Sequence, residues 1–420
     1  MSNVLYWVWL QGALGPGSRK ALPLARRLGS PAEVYQADAE KLASLQMLSE
    51  REIKTLRSHP LESAREVLEA CGRDGLQVIT PQSPSYPGRL REIPDPPIAL
   101  YVQGTLPVVD EEVLVAIVGT RDATSYGHAA AKRLSMRLAR AGAVIVSGGA
   151  MGVDSDAHTG ALLSGGRTIA VLGCGIGYPY LEGGKPLREL IAKNGALVSE
   201  YPPGTPPNKY TFPKRNRLIS GLSLGTVIVE AGEKSGSLIT ARCAEEQGRD
   251  VFAIPGSVMS LSYTGTNRLL RDGAKPVYSA LDVLQEYQPL FPHKLTLAGS
   301  HVLIGEYDPE DAPDPAEENS PLPGQEKDLL RQTPKPGTAS SEEPKSFSRP
   351  DPPDGLFGPA LAVYKAFSEE TMPLDLLVER SGHLSGEVLR ALTELELLGR
   401  VESVAGSRYR LLPEPMNDIL

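Results

Sequence analysis

The chain has 420 residues, of which 41% are hydrophobic and 22% charged, and its formal net charge is −8. This length exceeds one ordinary domain, so two or three folded units are expected, and no apolar run is long enough to cross a bilayer. The three cysteines are widely separated, which excludes a disulfide framework or a zinc site and favours a soluble protein of the cytoplasm.

Residues 1–75 are predicted to form a helical domain. The apolar stretch within residues 1–10 predicts a buried first helix, and Gly15 and Gly17 predict a tight turn before an amphipathic second helix. A further helical turn follows at residues 45–56. The pattern is typical of a helix-hairpin-helix (SAM-like) unit, whose turn amides can bind a DNA phosphate. Because residues 1–110 carry no net charge, a packing or protein-contact role is at least equally supported.

The central region, residues 76–288, is predicted to be an α/β domain with a doubly wound, Rossmann-like core. Short apolar runs alternate with helical patterns, which is typical of a parallel sheet covered on both faces. These runs are residues 114–118, 144–147, 168–172, 196–199, 226–230 and 251–254. Ligands of such sheets bind at the carboxyl ends of the strands. Residues 111–288 carry a net charge of +3 and form the only net basic part of the chain.

Glycine-containing turns follow three of the predicted strands. In the first, Arg121 places a cation where a helix N-terminus already favours an anion, although a surface ion pair is also open for this residue. The second turn contains Asp154 and His158, for which helix capping and packing are favoured over acid-base chemistry. The second and third turns, which are the further potential anion-binding turns, contain Ser147, Gly148 and Gly149, and Ser235, Gly236 and Ser237.

A basic segment with aromatic residues precedes the fifth predicted strand. Pro213 is predicted to start a helix whose first turn is cationic, and cations there oppose the helix dipole unless an anion is bound. Basic residues beside aromatic rings suit a single strand, whose phosphates need cations and whose bases stack on rings. We expect Arg215 and Arg217 to lie on a solvated groove wall. The predicted binding residues of this segment are Phe212, Lys214, Arg215, Asn216 and Arg217.

Sequence motifs for nucleotide cofactors are missing. The glycines at 173, 175 and 177 lack the dinucleotide-binding spacing, and no G-x-x-x-x-G-K-[ST] occurs. We therefore expect no cofactor, no metal and no enzymatic activity.

The region after the central domain differs sharply in composition. Residues 289–355 contain thirteen prolines and carry a net charge of −7, which predicts a disordered linker. Residues 356–420 read as three helices followed by two strands, the order of a winged helix. Its third helix bears Glu387, Glu394 and Glu396 against Arg390, which favours contact with protein over contact with DNA.

The chain resembles the DNA-processing protein A family, also called Smf. The motifs GTR, SGGAMGVDSDAH, SEYPPG, FPKRNRLISGLS, EAGEKSGSLITA and GTNRLLRDGA occur in the family's order, between a helix-hairpin-helix start and a winged-helix end. The resemblance implies a role in natural transformation, in which the protein binds and protects incoming single-stranded DNA and loads the RecA recombinase. It also implies a homodimer formed through the Rossmann domains. We expect residues 266–274 to form part of the interface, with packing of Leu269 and Leu270 in the core as the alternative. Carried over by motif, the strand-binding pocket contains the turn and basic-segment residues named above, with Arg121.

An enzymatic alternative is a nucleotide-processing enzyme on a related Rossmann fold, similar to the phosphoribohydrolases. Those enzymes use a Pro-Gly-Gly-x-Gly-Thr turn followed by a catalytic glutamate. The chain has AGEKSGSLITA at the corresponding strand end, which weighs against that chemistry.

Overall fold

The computed structural model describes residues 3–179, 184–306, 356, 358–369, 371–383, 385–398, 400–404 and 408–412. The chain divides into two compact units, one within residues 1–332 and one within residues 333–420. Among the described residues, no helix is both long and apolar enough to span a membrane.

The first unit begins with a group of short helices around a common apolar core. The predicted buried first helix is confirmed, since Trp7, Trp9 and Leu10 in it are buried. Trp9 Nε1 also donates a hydrogen bond to the carbonyl oxygen of His59 at 3.0 Å. The helices are α1 (Asn3–Leu14), α2 (Ala21–Leu28), α3 (Pro31–Gln36), α4 (Ala39–Ser44), α5 (Glu50–Ser58) and α6 (Leu61–Arg73).

A mixed sheet forms the centre of the first unit, and in the described residues its strand order is β1-β2-β6-β5-β4-β3-β7-β8-β9. Strands β3 to β8 confirm the six predicted runs and pair in parallel, while β1 and β2 add an antiparallel edge. Because β3 lies between β4 and β7, the sheet is doubly wound, as predicted. The strands are β1 (Gln77–Ile79), β2 (Leu100–Gly104), β3 (Leu114–Val118), β4 (Val144–Ser147), β5 (Thr168–Leu172), β6 (Ala196–Ser199), β7 (Gly225–Ile228), β8 (Asp250–Ala253) and β9 (Lys275–Pro276).

Helices cover both faces of this sheet. The connecting helices are α7 (Gly88–Arg91), α8 (Ser125–Arg140), α9 (Val153–Leu163), α10 (Lys185–Asn194), α11 (Thr211–Leu222), α12 (Ser237–Glu246), α13 (Thr264–Arg271) and α14 (Leu281–Tyr287). Alternate residues of β3 point to opposite faces, so that Val115 joins the core under α8, α9 and α14, whereas Ala116 joins the core under α7, α11 and α12. The parallel strands thus end together at one edge of the sheet.

Residues 289–306 differ from the prediction of a linker that begins at residue 289. Leu295 and Ile304 are buried in the core beside α8. Arg137 Nη1 donates to the carbonyl oxygens of Val302 and Leu303 at 2.9 and 2.8 Å. This short segment packs because its few aliphatic residues reach the core and its carbonyls meet arginine donors. Residues 307–355, the rest of the predicted linker, lie outside the described residues.

The second unit has the helix and strand order of a winged helix. Helices α15 (Gly358–Ala366), α16 (Leu374–Ser381) and α17 (Ser385–Leu397) precede strands β11 (Val401–Val404) and β12 (Arg408–Leu411). A short strand not predicted from sequence, β10 (Thr371–Pro373), pairs with β12, giving the order β10-β12-β11. Glu387 and Glu394 on α17 are exposed.

Candidate nucleic-acid interface

Helix α11 packs on one face of the central sheet, where it contacts β3, β4, β5 and α12, and its start lies at the carboxyl edge. It begins at Thr211, two residues before the predicted start at Pro213. The reason is Asn208, whose Oδ1 accepts hydrogen bonds from the backbone N–H groups of Tyr210 and Thr211 at 2.8 and 3.1 Å. This side chain satisfies amides at the helix start, so the predicted cationic turn needs no bound anion to form.

Arg215 of α11 joins the ends of two strands. Its Nη1 donates to the carbonyl oxygen of Gly148 at 2.5 Å and to that of Val171. A Cβ added at Gly148 would lie 2.6 Å from Oδ2 of Asp154 and 2.7 Å from Nη1 of Arg215, so a larger residue would displace these two side chains. Burial lowers the pKa of Arg215 and raises that of Asp154, while each charge opposes the effect on the other. Arg215 therefore acts inside the protein and fixes α11 to β4 and β5.

Phe212 connects α11 to the turn after β3. The Cζ atoms of Arg121 and Arg215 lie 5.1 and 5.9 Å from the centre of its ring. A Cβ added at Gly173 would lie 2.8 Å from Cδ1 of Phe212, so the ring rests directly on the backbone after β5. Arg121 itself is exposed. The ring thus places an exposed cation above the carboxyl edge.

Asn216 connects α11 to the turn after β7. Its Nδ2 donates to the carbonyl oxygen of Gly236 at 3.2 Å, and the hydroxyls of Ser235 and Ser237 lie 2.8 Å apart in the same turn. Gly236 is exposed, whereas Ser237 is buried as the first residue of α12. The third predicted turn therefore lies beside α11.

The turn after β4 presents backbone more than side chains. The Ser147 hydroxyl is buried and donates to the carbonyl oxygen of Ile117 at 2.6 Å. Gly149 has φ +67°, which favours glycine, and its backbone is partly exposed. Ser147 therefore supports the sheet, and the part of this turn that a ligand can reach is the backbone near Gly149.

Exposed cations and a ring extend from the start of α11. Lys214 is exposed, and Lys209 Nζ lies 5.1 Å from the ring centre of Tyr210, which is 67% exposed. These side chains and Arg121 form the solvent-facing part of the site.

Arg217 contradicts the expectation of a solvated groove wall, and so does Arg215, since each is only 5% exposed. Arg217 Nη2 donates to both carboxylate oxygens of Glu200 at 2.9 Å, and its Nε lies 3.0 Å from Oδ2 of Asp95. Burial acts to lower the pKa of Arg217, but the charges of Glu200 and Asp95 outweigh burial and raise it. Neither acidic partner lies near Arg217 in sequence, which is why sequence reasoning missed this cluster.

The same cluster reaches the helical domain. The backbone N–H of Gly17 donates to Oε1 of Glu200 at 3.0 Å. Gly15 and Gly17 have φ values of +82° and +72°, so the predicted tight turn is confirmed. The Gly17 amide is thus bound to an internal carboxylate, which agrees with the packing role for this turn and not with the alternative of a bound DNA phosphate.

Asp154 and His158 take structural positions. His158 is fully buried, with Nδ1 2.7 Å from the Thr168 hydroxyl oxygen, and burial lowers its pKa to about 3. The prediction that this histidine is packed is therefore confirmed. Asp154 does not cap α9 as predicted; its Oδ2 accepts from the Ala150 N–H in the preceding turn at 3.3 Å. In the described residues, no group of three or more His, Cys, Asp or Glu is placed to hold a metal ion.

Comparison with protein-family models gives two matches. Residues 77–288 match the model of DNA recombination-mediator protein A, and residues 347–407 match the DprA winged helix domain.

Comparison with individual proteins points to the same family. The chain is 34% identical over 365 residues to Protein Smf of Escherichia coli, covering 87% of this chain and 85% of that protein. It is 43% identical over 220 residues to DNA processing protein DprA of Bacillus subtilis, covering 52% of this chain and 74% of that protein. The structure of DNA processing protein A from Streptococcus pneumoniae matches with a TM-score of 0.59 and 32% identity, covering 68% of this chain and 98% of that one.

Proposed function

The chain belongs to the DNA processing protein A (DprA/Smf) family, and from this premise we propose that it binds single-stranded DNA at the carboxyl edge of its central sheet. One observation carries the proposal. Helix α11 gathers the turns after β3, β4 and β7 into one surface and leaves cations exposed on it, including Arg121 and Lys214.

The exposed groups match the chemistry of a single strand. Its phosphates meet Arg121 and Lys214, together with the backbone near Gly149 and Gly236, which is at least partly exposed. Its bases stack on rings at the start of α11, where Tyr210 is largely exposed. Stacking and charge neutralisation depend little on base identity, so we expect weak sequence preference.

The buried residues of the predicted site hold α11 and the neighbouring turns in position and do not contact the DNA. Arg215 and Arg217 hold α11 in place, while the Ser147 hydroxyl joins the end of β4 to β3 and Ser237 stabilises the turn before α12. We expect their replacement to disturb the interface through the fold, without removing a direct phosphate contact.

The biological role follows from the family. We propose that the protein protects incoming single strands during natural transformation and loads the RecA recombinase on them, without catalysing a reaction of its own. The engagement of Asp154 and His158 in structural contacts supports the last point.

We further propose a homodimer formed through the Rossmann domain, with α13 in the interface. Leu269 packs partly on the core, and Leu270 is half-buried. Arg268 and Arg271 are exposed on the same helix. Sedimentation of the full chain at micromolar concentration checks this proposal, and a purely monomeric protein would contradict it.

A titration of labelled oligo(dT) at two salt concentrations tests the function. We expect binding that weakens as salt rises, because each neutralised phosphate releases counterions. Absence of binding at low salt, or steady hydrolysis of ATP or nucleoside monophosphates by the pure protein, would contradict the proposal. RecA loading is then measured as faster RecA filament formation on strands coated with single-strand-binding protein.

A further inference from the structure

The start of α8 corresponds to the position at which Rossmann-type domains bind a nucleotide phosphate. Helix α8 follows β3, the strand at the switch point of the sheet, and its N-terminus is the positive end of the helix dipole. In this chain a carboxylate already lies there. Glu230 follows β7, the neighbour of β3, and its side chain is fully buried.

Several donors converge on one oxygen of Glu230. Its Oε2 accepts from the backbone N–H of Thr124 at 3.0 Å and from the hydroxyls of Thr124 and Tyr263 at 2.9 Å each. Thr124 is also the residue that caps α8. A Cβ added at Gly127, in the first turn of α8, would collide with the same oxygen. The carboxylate therefore lies against the helix start and accepts from one backbone N–H and two hydroxyls, groups that can also donate to a phosphate oxygen.

Burying this charge requires compensation. A buried carboxylate is strongly unfavourable unless donors or opposite charges surround it. Here Oε2 of Glu230 accepts three hydrogen bonds, whereas Oε1 is buried without a hydrogen-bond partner among the described residues. The site thus behaves as an anion site whose occupant is part of the chain.

We propose that Glu230 is a specificity-determining residue, which fills the phosphate position of the Rossmann core and so excludes free nucleotides. Anion binding is then left to the surface around α11. Glu230 fills the start of α8 whether or not the surface around α11 binds DNA. The role of Glu230 and the proposed DNA binding can therefore be disproved separately.

The test is a gain of phosphate binding. Glu230→Ala leaves the donors of Thr124 and Tyr263 in place beside an empty position. We expect this variant to bind inorganic phosphate and adenosine monophosphate in calorimetric titration, whereas the wild type binds neither. The melting temperature of the variant should rise with phosphate and saturate, because a ligand that binds only the folded state stabilises it by mass action.

Two further variants sharpen the test. Glu233→Ala removes an equal charge from an exposed position in the same turn and should behave as the wild type. Adding Thr124→Ala to Glu230→Ala removes a hydroxyl donor and should abolish most of the gained affinity.

Absence of phosphate binding by Glu230→Ala would overturn the proposal. So would an equal gain in Glu233→Ala, since the charge of the turn and not the filled position would then exclude phosphate. If Glu230→Ala fails to fold, Glu230→Ser replaces it in the same titration, with the same two outcomes. Oligo(dT) affinity, measured in parallel on the same proteins, reports on the proposed function alone.

Discussion

Arg121, in the turn after β3, and Lys214, on α11, are exposed cations of the proposed interface, and each should contribute one phosphate contact. Replacing either by Ala should weaken binding to all sequences similarly. It should also flatten the slope of log affinity against log salt by roughly 0.7, the value for one contact on a single strand. Fluorescence anisotropy with oligo(dT) over a salt series measures both quantities.

A matched control is Lys193→Ala. Lys193 is exposed in the last turn of α10, and so lies toward the opposite edge of the sheet. Its replacement should leave the slope unchanged. Equal slopes for all three variants would show that Arg121 and Lys214 do not touch phosphate.

Replacing Arg217 should lower the stability of the protein, and it should weaken DNA binding only through this loss of stability. Arg217→Ala leaves Glu200, 2% exposed, as a buried charge that has lost its arginine partner, which costs about 3–5 kcal/mol of the free energy of unfolding. Lys214→Ala on the same helix should change stability by only about 0.5 kcal/mol, because its side chain is exposed. Urea unfolding compares the two, and similar stabilities would contradict the buried cluster.

His158 should make stability fall in acid. Its pKa is lowered to about 3 in the folded protein, from 6.5, so between these values the unfolded chain binds a proton that the folded one does not. The free energy of unfolding should therefore fall by about 1.4 kcal/mol per pH unit as the pH decreases through this range. Burial raises the pKa of Asp154 and Asp156, which acts in the opposite direction.

The His158→Gln variant isolates the contribution of His158 to the pH dependence, because glutamine does not bind a proton in this pH range. Its unfolding free energy should depend less steeply on pH than that of the wild type. An identical pH profile for the two proteins would rule out His158 as the source.

At the scale of the element, α11 depends on Asn208. Asn208→Ala removes the side chain that accepts from the first amides of the helix, which should cost about 1 kcal/mol of stability. Oligo(dT) affinity should fall while the salt slope stays at the wild-type value, because no phosphate contact is lost. A flatter slope in this variant would mean that Asn208 meets the strand directly.

The strands could be predicted from sequence and the roles of the arginines could not. Runs such as residues 114–118 are buried on both faces, so their continuous apolar composition alone identifies them as strands of a parallel sheet. Arg215 and Arg217 stand beside Lys214 in a basic segment, yet only Lys214 is exposed. Their burial depends on partners brought together by the fold, such as Asp95 and the carbonyl oxygen of Gly148. Sequence spacing carries no signal for contacts of this kind.

At the scale of the whole molecule, charge is divided unevenly. Residues 1–306 carry a net charge of +3 and residues 307–420 a net charge of −11. A chain ending at residue 306 should bind oligo(dT) at least as tightly as the full protein, because removing the acidic part lessens repulsion of phosphate. A tenfold loss of affinity, about 1.4 kcal/mol, would show instead that the removed part contributes directly.

The position of that cut follows from the structure. Composition alone places the boundary at residue 289, but Leu295 and Ile304 belong to the core of the first unit. The sequence did not reveal this packing, because two aliphatic residues do not outweigh the many prolines and acidic residues that predict a disordered linker from residue 289. A chain shortened to residue 288 would leave that core exposed. A loss of oligo(dT) affinity in this chain could then come from lower stability as well as from a lost DNA contact.

The contact of Gly17 with Glu200, and of Glu200 with Arg217, has an evolutionary consequence. One carboxylate binds the hairpin turn of the helical domain and helix α11 together, so a substitution of Glu200 or Arg217 alters the contact that the other residue makes. Such positions should change in concert or not at all. We therefore expect a helical domain taken from a relative to pack stably only if its hairpin turn still presents a backbone N–H to this carboxylate.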